Sequence, residues 1–275
     1  MPFNARVIAI QMCSGMQPEH NFQQLEQWLE HSDLKEPTLV CLPESWLAFM
    51  QDAKQSLQFA QNYQYWLDKL GELCRRYKIW LNAGTIAVKG SEKGYFAASF
   101  LLNDDGEVVA RYNKIHLFDA DVADGSGGYR ESRLTIAGTE VVVVNTPFGK
   151  IGLSVCYDVR FPGLYQAMRN LGAEILLVPS AFTTVTGAAH WLPLLQARAI
   201  ENQCFVIAPA QYGTHENGRK TYGHSLILSP WGEVLSDAKQ QLGMISAELD
   251  LTQLHRLRTD MPVQVHNRFK SEFYE

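Results

Sequence analysis

Short apolar runs rich in β-branched residues alternate along the chain with stretches in which apolar residues recur at helical spacing. The first pattern predicts strands and the second predicts amphipathic helices. In the first half, the predicted strands are residues 7–12, 38–42, 79–88, 97–103 and 108–112, and the predicted helices are residues 19–30 and 56–77. The segment Asn103-Asp104-Asp105-Gly106, between the last two strands, is typical of a hairpin turn.

The second half repeats a similar order. Its predicted strands are residues 140–145, 150–155, 175–179, 205–210, 224–229 and 244–248, and its predicted helices are residues 162–170 and 191–202. Two half-units related by a pseudo-twofold axis, packed sheet to sheet with helices outside, would bury the apolar strands on both faces. We therefore expect one α/β domain over residues 1–275, with a polar C-terminal arm from about residue 255 that lies on a neighbouring subunit.

Composition narrows the possible function classes. The net charge of −5 argues against a nucleic-acid partner, because binding to phosphates needs a basic face. No apolar run approaches the roughly 20 residues that span a bilayer, and the N-terminus lacks the pattern of a signal peptide. These features predict a cytoplasmic protein with no membrane partner.

Five cysteines are scattered along the chain, without a Cys-x-x-Cys pair. An odd, dispersed set predicts free thiols rather than disulfides, and it offers no cluster for a zinc site. Four of them lie in apolar surroundings and are expected to be small buried side chains: Cys13, Cys41, Cys74 and Cys204.

Cys156 differs because it ends a predicted strand and is followed closely by Pro162, which suits the first turn of a helix. This spacing places the thiol at a sharp strand-to-helix turn, as in nucleophile elbows. A helix N-terminus favours the thiolate, and its backbone N–H groups, including that of Tyr157, can stabilise an oxyanion. The alternative is a buried cysteine at the end of a strand.

A thiol nucleophile needs a base. Histidine is the usual partner, and His116, His190 and His224 are available. Glu44 directly follows an apolar strand, which would project its carboxylate into a cleft at the sheet edge. The alternatives are that Glu44 is a helix-start acid and that Lys114, at another strand end, is a solvated charge.

Three segments together resemble the signatures of the nitrilase superfamily of carbon–nitrogen hydrolases. They are Leu42-Pro43-Glu44, Tyr112-Asn113-Lys114-Ile115-His116-Leu117 and Gly152-Leu153-Ser154-Val155-Cys156-Tyr157-Asp158-Val159-Arg160-Phe161-Pro162. The resemblance spans nearly the whole chain, in the family's order. It implies a four-layer α-β-β-α sandwich, a catalytic triad of Glu44, Lys114 and Cys156, no metal or organic cofactor, and a homodimer or larger homo-oligomer.

Further stretches resemble the Nit branch of this superfamily. They include His116-Leu117-Phe118-Asp119, Glu131-Ser132, Thr186-Gly187-Ala188-Ala189-His190-Trp191, Arg198-Ala199-Ile200-Glu201-Asn202-Gln203 and Tyr222-Gly223-His224-Ser225. The last two look closer to deaminated-glutathione amidases than to alpha-ketoglutaramate amidases. Glu131 matches a second, supporting glutamate. Where many Nit proteins have Pro-Gly in the loop after Lys114, this chain has residues 122–128 instead.

The resemblance implies that the small-molecule substrate is an amide of a 2-oxo acid. Arg160 could clamp its carboxylate in two hydrogen bonds, or could instead pair with Asp158. We expect Phe182, Thr183 and His190 to shape the pocket, and Arg130 and Arg133 to reach the far carboxylate of a longer substrate.

The leading hypothesis is hydrolysis of deaminated glutathione to 2-oxoglutarate and cysteinylglycine, a metabolite-repair reaction that passes through a thioester. Three alternatives remain: an omega-amidase that releases ammonia from alpha-ketoglutaramate, a papain-like pairing of the thiol with histidine, and a non-catalytic interaction scaffold.

Overall fold

Two β-sheets form the centre of the structure, a computed structural model that describes residues 4–34, 37–91, 94–124, 128–270 and 272. The strands are β1 (Asn4–Gln11), β2 (Thr38–Cys41), β3 (Trp80–Asn82), β4 (Ile86–Ser91), β5 (Gly94–Leu102), β6 (Val108–Asn113), β7 (Asp119–Ala120), β8 (Tyr129–Arg130), β9 (Val143–Thr146), β10 (Gly149–Leu153), β11 (Ile175–Leu177), β12 (Phe205–Ala208), β13 (Tyr212–Thr214), β14 (Lys220–Tyr222), β15 (Leu226–Leu228), β16 (Val234–Asp237) and β17 (Gly243–Asp250).

The helices are α1 (Pro18–Glu30), α2 (Ala53–Phe59), α3 (Tyr63–Tyr77), α4 (Pro162–Asn170), α5 (Thr184–Asn202), α6 (Leu251–Asp260) and α7 (Val263–His266). Three short 3-10 turns occupy Ala60–Asn62, Glu131–Arg133 and Cys156–Arg160. No helix within the described ranges is long and apolar enough to cross a membrane.

Each sheet has a parallel centre with antiparallel edges. In the first sheet the order is β17-β1-β2-β3-β5-β4, with β6 also paired to β5, and β1, β2 and β3 run parallel. In the second sheet the order is β16-β15-β12-β11-β10-β9, with β10, β11 and β12 parallel. The two half-units predicted from the sequence are therefore present, each built around three parallel strands.

The alternation of side chains along β1 shows how the layers stack. Val7 and Ala9 belong to a core shared with strands of the second sheet, whereas Ile8 and Ile10 belong to a core shared with α1 and α3. Because successive residues of a strand point to opposite faces, the first sheet is covered by the second sheet on one side and by helices on the other. Together with α4 and α5 on the second sheet, this arrangement is the expected α-β-β-α sandwich.

Several predicted boundaries were wrong. The single helix predicted over residues 56–77 is two helices separated by a 3-10 turn, and the strand predicted over residues 79–88 is interrupted between β3 and β4. At this interruption Gly84 has φ +52°, and a Cβ there would lie 1.9 Å from the Pro43 carbonyl oxygen. Helix α5 begins at Thr184, well before the predicted residue 191, so His190 lies inside a helix.

The chain after β17 packs on its own domain through α6. Leu251 and Leu254 are buried, and the guanidinium of Arg258 donates to the carbonyl oxygens of Ala173 and Gln203. The expectation that an arm from about residue 255 lies on a neighbouring subunit stays a prediction. Residues 125–127 of the loop that departs from the Nit pattern lie outside the described residues.

Candidate active site

Cys156 lies where the chain leaves the second sheet. It follows β10 closely and begins the 3-10 turn that leads to α4, as the sequence predicts. Its backbone is left-handed, with φ +47°, a conformation that non-glycine residues rarely adopt and that is held only by surrounding contacts. One such contact is the hydrogen bond of 2.9 Å from its own N–H to the Pro179 carbonyl. The thiol is thereby fixed at the carboxyl end of the parallel strands.

Asp158 anchors this turn through buried hydrogen bonds. Its carboxylate is fully buried and accepts hydrogen bonds from the N–H of Val155 at 2.8 Å and from the N–H of His116 at 3.0 Å. The His116 ring is 2.7 Å from the same carboxylate and stacks flat on Phe161. The turn that carries Cys156 is therefore tied to the segment that follows Lys114.

Glu44 enters the same region from the first sheet. It follows β2, and the chain turns sharply after it, with Ser45 at φ +54° and the Ser45 N–H bound to the Thr85 hydroxyl at 2.8 Å. One carboxylate oxygen of Glu44 accepts from Lys114 Nζ at 2.9 Å, and the other accepts from the Ala181 N–H at 2.9 Å. Glu44 thus spans the gap between the two sheets.

Lys114 follows β6 and points its ammonium group into this gap. Its side chain is 2% exposed, and Nζ lies 2.9 Å from Glu44 and 3.0 and 2.8 Å from the two carboxylate oxygens of Glu131. Glu131 also accepts from the Phe118 N–H at 2.7 Å. A buried ammonium is stable only when it is paired and hydrogen-bonded, so the two carboxylates fix its position.

Burial and charge set the ionisation of these groups. Burial raises the pKa of the Cys156 thiol well above its usual value, the Glu44 carboxylate raises it further, and Lys114 opposes the shift only in part. The expectation that the turn favours the thiolate of Cys156 was therefore wrong. Burial removes the thiolate from water, and this effect outweighs the stabilisation by the backbone dipoles. Burial alone would lower the pKa of Lys114, but Glu131 and Glu44 hold it well above the usual range.

The pKa of Glu131 is raised, chiefly by burial, although Lys114 acts in the opposite direction. The Glu44 carboxylate acts on Cys156 as well, since it raises the pKa of the thiol. The cavity wall therefore carries a protonated thiol, a carboxylate that can accept its proton, and an ammonium group paired with two carboxylates.

Glu44, Lys114, Glu131 and Cys156 all line one cavity of about 910 Å³. Arg130 and Arg133, predicted from the sequence, also line it. A volume of this size is typical of a pocket for a small molecule, for which about 300–1,000 Å³ is usual. The distant segments that carry these side chains thus meet around a space in which an amide could bind.

The other predicted substrate-binding residues lie beside this cavity and not on its described lining. The Arg160 guanidinium is 3.2 Å from the His190 ring and lies over the rings of Tyr157 and Phe182. The predicted alternative, a pair with Asp158, is not among the ion pairs of the described residues. Phe182 is buried against Trp191, and the Thr183 hydroxyl caps helix α5.

Tyr157 packs its ring edge-on against Phe118 and Phe161. As the second residue of the 3-10 turn, it contributes an N–H from the part of a helix where backbone donors have no intrahelical acceptor. This is the position at which the sequence predicts an oxyanion donor.

The three candidate histidines are engaged elsewhere. His116 pairs with Asp158, His190 contacts Arg160, and His224 lies 3.1 Å from Asp237. Among the described residues that line the cavity there is no histidine. The described part of the chain also contains no cluster of three or more His, Cys, Asp or Glu residues arranged to hold a metal ion.

Sequence reasoning missed the hairpin formed by β13 and β14, which adds Asn217, Arg219 and Lys220 to the cavity lining. The signal was present, because Asn217-Gly218 is a strong hairpin-turn dipeptide, and Gly218 has φ +81°. The position of this hairpin over the site depends on long-range packing that the local sequence does not reveal.

Comparisons with known proteins agree with this geometry. The sequence model of a family described as carbon-nitrogen hydrolase matches residues 6–259. A protein of Yersinia enterocolitica called deaminated glutathione amidase is 41% identical over 273 residues, which cover 98% of this chain and 94% of that protein. A protein of Dictyostelium discoideum with the same name is 39% identical and covers 95% of this chain and 93% of its own length.

Among solved structures, the Caenorhabditis elegans NitFhit protein is 38% identical, with a TM-score of 0.92 over 99% of this chain and 68% of that one. The resemblance noted from the three sequence motifs is confirmed across almost the whole length, as is the fold that it implies. The chain belongs to the carbon–nitrogen hydrolase family.

Proposed function

We propose that this protein hydrolyses the amide bond of deaminated glutathione, giving 2-oxoglutarate and cysteinylglycine. The observation that carries the proposal is the buried Lys114 ammonium, held between Glu44 and Glu131 on the wall of the cavity that Cys156 also lines. Relatives 41% and 39% identical to this chain carry the name of that activity.

In the acylation step, Glu44 takes the proton of Cys156 as the sulfur attacks the amide carbon. Both groups line one cavity, and the Glu44 charge raises the pKa of the Cys156 thiol, which supports this role. The Lys114 ammonium and the Tyr157 N–H stabilise the oxyanion of the tetrahedral intermediate. Loss of one such donor costs about 3–4 kcal/mol of transition-state stabilisation.

Collapse of the intermediate breaks the carbon–nitrogen bond. Glu44 returns its proton to the departing amine of cysteinylglycine, and the 2-oxoglutaryl group stays on Cys156 as a thioester. Glu44 then takes a proton from water, the resulting hydroxide attacks the thioester, and the thiolate regains the proton as 2-oxoglutarate leaves. Glu131 holds the Lys114 ammonium in position throughout, and Glu44 takes part in every proton transfer.

The size of the cavity supports the longer substrate. About 910 Å³ is far more than the five-carbon alpha-ketoglutaramate fills, and its wall carries cations suited to additional carboxylates. Arg160 remains our candidate for the carboxylate beside the ketone, although it lies next to the described lining.

Product analysis with the purified protein tests the proposal. Deaminated glutathione should give equal amounts of 2-oxoglutarate and cysteinylglycine. Fast ammonia release from alpha-ketoglutaramate, without turnover of deaminated glutathione, would instead identify an omega-amidase.

Two other readings have their own tests. If the thiol were paired with histidine, as in papain-like proteases, one of the single substitutions His116→Asn, His190→Asn or His224→Asn would abolish turnover; we expect each to leave most of it. If the fold were only an interaction scaffold, Cys156→Ala would change no catalytic rate, whereas we expect it to remove activity.

We also propose a cytoplasmic location and assembly into a homodimer or larger homo-oligomer. A reducing compartment suits a mechanism that needs a free thiol, and all five cysteines are unpaired. Light scattering of the purified protein gives the number of subunits.

A further inference from the structure

The turn of the β13–β14 hairpin is fastened over the cavity. The His215 N–H donates to the Arg219 carbonyl at 2.9 Å, and the Gly218 N–H donates to the His215 carbonyl at 2.8 Å. The Asn217 amide reaches across to the Met50 carbonyl at 2.9 Å. These bonds fix the backbone of Arg219 relative to the segment that follows Glu44.

The side chain of Arg219 has contacts of its own that limit its movement. Its guanidinium lies over two aromatic rings, 4.9 Å from the centre of Phe49 and 5.0 Å from the centre of Tyr129. The Phe49 ring is itself stacked on His215 at 3.9 Å. A guanidinium that already contacts two rings loses less further freedom on binding an anion than a freely rotating one.

Arg219 also has unused hydrogen-bonding capacity. Its Nε is buried and has no hydrogen-bond partner among the described residues, where buried polar groups are normally satisfied. Arg219 takes part in none of the ion pairs of that same part of the chain. A half-buried cation on a cavity wall without a carboxylate partner is suited to receive one from a ligand.

The other cations on the cavity wall differ from Arg219. Lys114 is occupied by two carboxylates, and Arg130 is exposed and bound to Asp121 through two contacts of 2.8 and 3.1 Å. Arg133 and Lys220 are exposed to solvent, which screens their charge. Among the described residues of this wall, Arg219 is thus the half-buried guanidinium that is both pre-positioned and unpaired.

We propose that Arg219 binds the glycine carboxylate of deaminated glutathione and so selects a dipeptide leaving group. This inference rests on the proposed function. The described contacts of Arg219 are with Phe49, Tyr129 and its own hairpin, and not with Glu44, Lys114 or Cys156. Its ligand therefore belongs to a part of the substrate away from the scissile bond, and the glycine carboxylate is the one farther from the scissile carbon.

The test compares two substrates on each enzyme variant: deaminated glutathione, and the same molecule with its glycine carboxylate replaced by a carboxamide. The preference of a variant is its kcat/KM for the acid divided by its kcat/KM for the carboxamide. A general loss of folded or active enzyme lowers both values equally and leaves this preference unchanged. We expect Arg219→Gln to reduce the preference of the wild type for the acid by about 10- to 100-fold, because a hydrogen-bonded charge pair is lost. The change should lie chiefly in KM for the acid.

Arg111→Gln is the matched control, since Arg111 also lies over two aromatic rings, Phe96 and Phe100, but does not line the cavity. It should keep the wild-type preference. Arg219→Lys keeps the charge and loses the planar fork, so its preference should fall between those of wild type and Arg219→Gln.

An unchanged preference in Arg219→Gln, with both substrates slowed equally, would overturn the inference and leave a purely structural role for the residue. In that case the proposed function still stands, because the wild type hydrolyses the acid. A wild type that does not hydrolyse deaminated glutathione overturns the proposed function itself, and the inference with it.

Discussion

The hydroxyl of Tyr112 donates a hydrogen bond of 2.8 Å to the buried carboxylate of Asp158. Tyr112 precedes Lys114 by two residues, and Asp158 follows Cys156 by two. The bond therefore joins the end of β6 in the first sheet to the turn that follows β10 in the second. Because the two sheets contribute different members of the site, contacts of this kind set the distance between ammonium and thiol.

Asp158→Asn should destabilise the protein and displace Cys156. One carboxylate oxygen accepts from Tyr112 and Val155 and the other from His116, so the amide group of asparagine would point a donor at existing donors. We expect a loss of about 3 kcal/mol in the free energy of unfolding, measured by urea denaturation. Asp237→Asn is the control: this aspartate also pairs with a histidine but is partly exposed, and its loss should cost at most about 1 kcal/mol. Equal losses in the two variants would contradict the anchoring role of Asp158.

The fold followed from the sequence where local patterns decide structure. Helix α4 begins at Pro162 and ends at Asn170 as predicted, because proline suits a first helical turn and the helix buries one face. The break between β3 and β4 could not be predicted. It results from the close approach of the Pro43 carbonyl to Gly84, two segments that meet only in the folded protein.

The candidate site also contains residues that the sequence indicates and residues that it does not. The ends of predicted strands indicated Glu44 and Cys156 as candidates, each with an ordinary structural alternative, and each does follow a strand with a parallel neighbour. Lys114 alone looks like a solvated charge, and the family resemblance was needed to select all three residues together. Arg219 could not be identified from the sequence because its two ring partners, Phe49 and Tyr129, lie far from it along the chain.

Glu131→Gln should lower kcat by about 100-fold, because a misplaced ammonium no longer meets the oxyanion. The variant also removes a carboxylate that raises the pKa of Lys114. The alkaline limb of the kcat profile should therefore move to lower pH, which a purely structural defect would not cause. Glu140→Gln, at an exposed position, is the control and should match the wild type at every pH. An unshifted alkaline limb in Glu131→Gln would contradict the electrostatic role.

Glu44→Gln should separate thiol ionisation from catalysis. Burial is the main cause of the raised Cys156 pKa and the Glu44 charge is the second, so removing that charge lowers the pKa and increases the thiolate fraction. Alkylation of Cys156 by iodoacetamide near neutral pH should become faster, while kcat falls by at least about 100-fold because the general base is gone. Peptide mass spectrometry follows Cys156, with the partly exposed Cys13 as the internal reference. Slower alkylation of Cys156 in the variant would mean that Glu44 already holds the thiol proton in the resting enzyme.

His215 should make the stability of the protein depend on pH. Its Nδ1–H donates to the Ser14 carbonyl at 2.9 Å, its Nε2 accepts from the Thr221 hydroxyl at 2.8 Å, and burial, aided by Arg219, lowers its pKa below the usual 6.5. Between the lowered and the usual value the unfolded chain binds more protons, so stability rises with pH. The contribution of His215 is complete above pH 6.5 and is lost as pH falls through the lowered value.

The measurement is the thermal unfolding temperature at pH 5 and pH 7.5. We expect His215→Asn to lower this temperature at both pH values, because the ring stack on Phe49 is lost. The difference between the unfolding temperatures at the two pH values should also become smaller, because the titrating group is gone. The second effect is diagnostic. The exposed His20 provides the control, since His20→Asn should retain the wild-type difference. If His215→Asn kept that full difference as well, the acid sensitivity would have to arise from carboxylates and not from this buried ring.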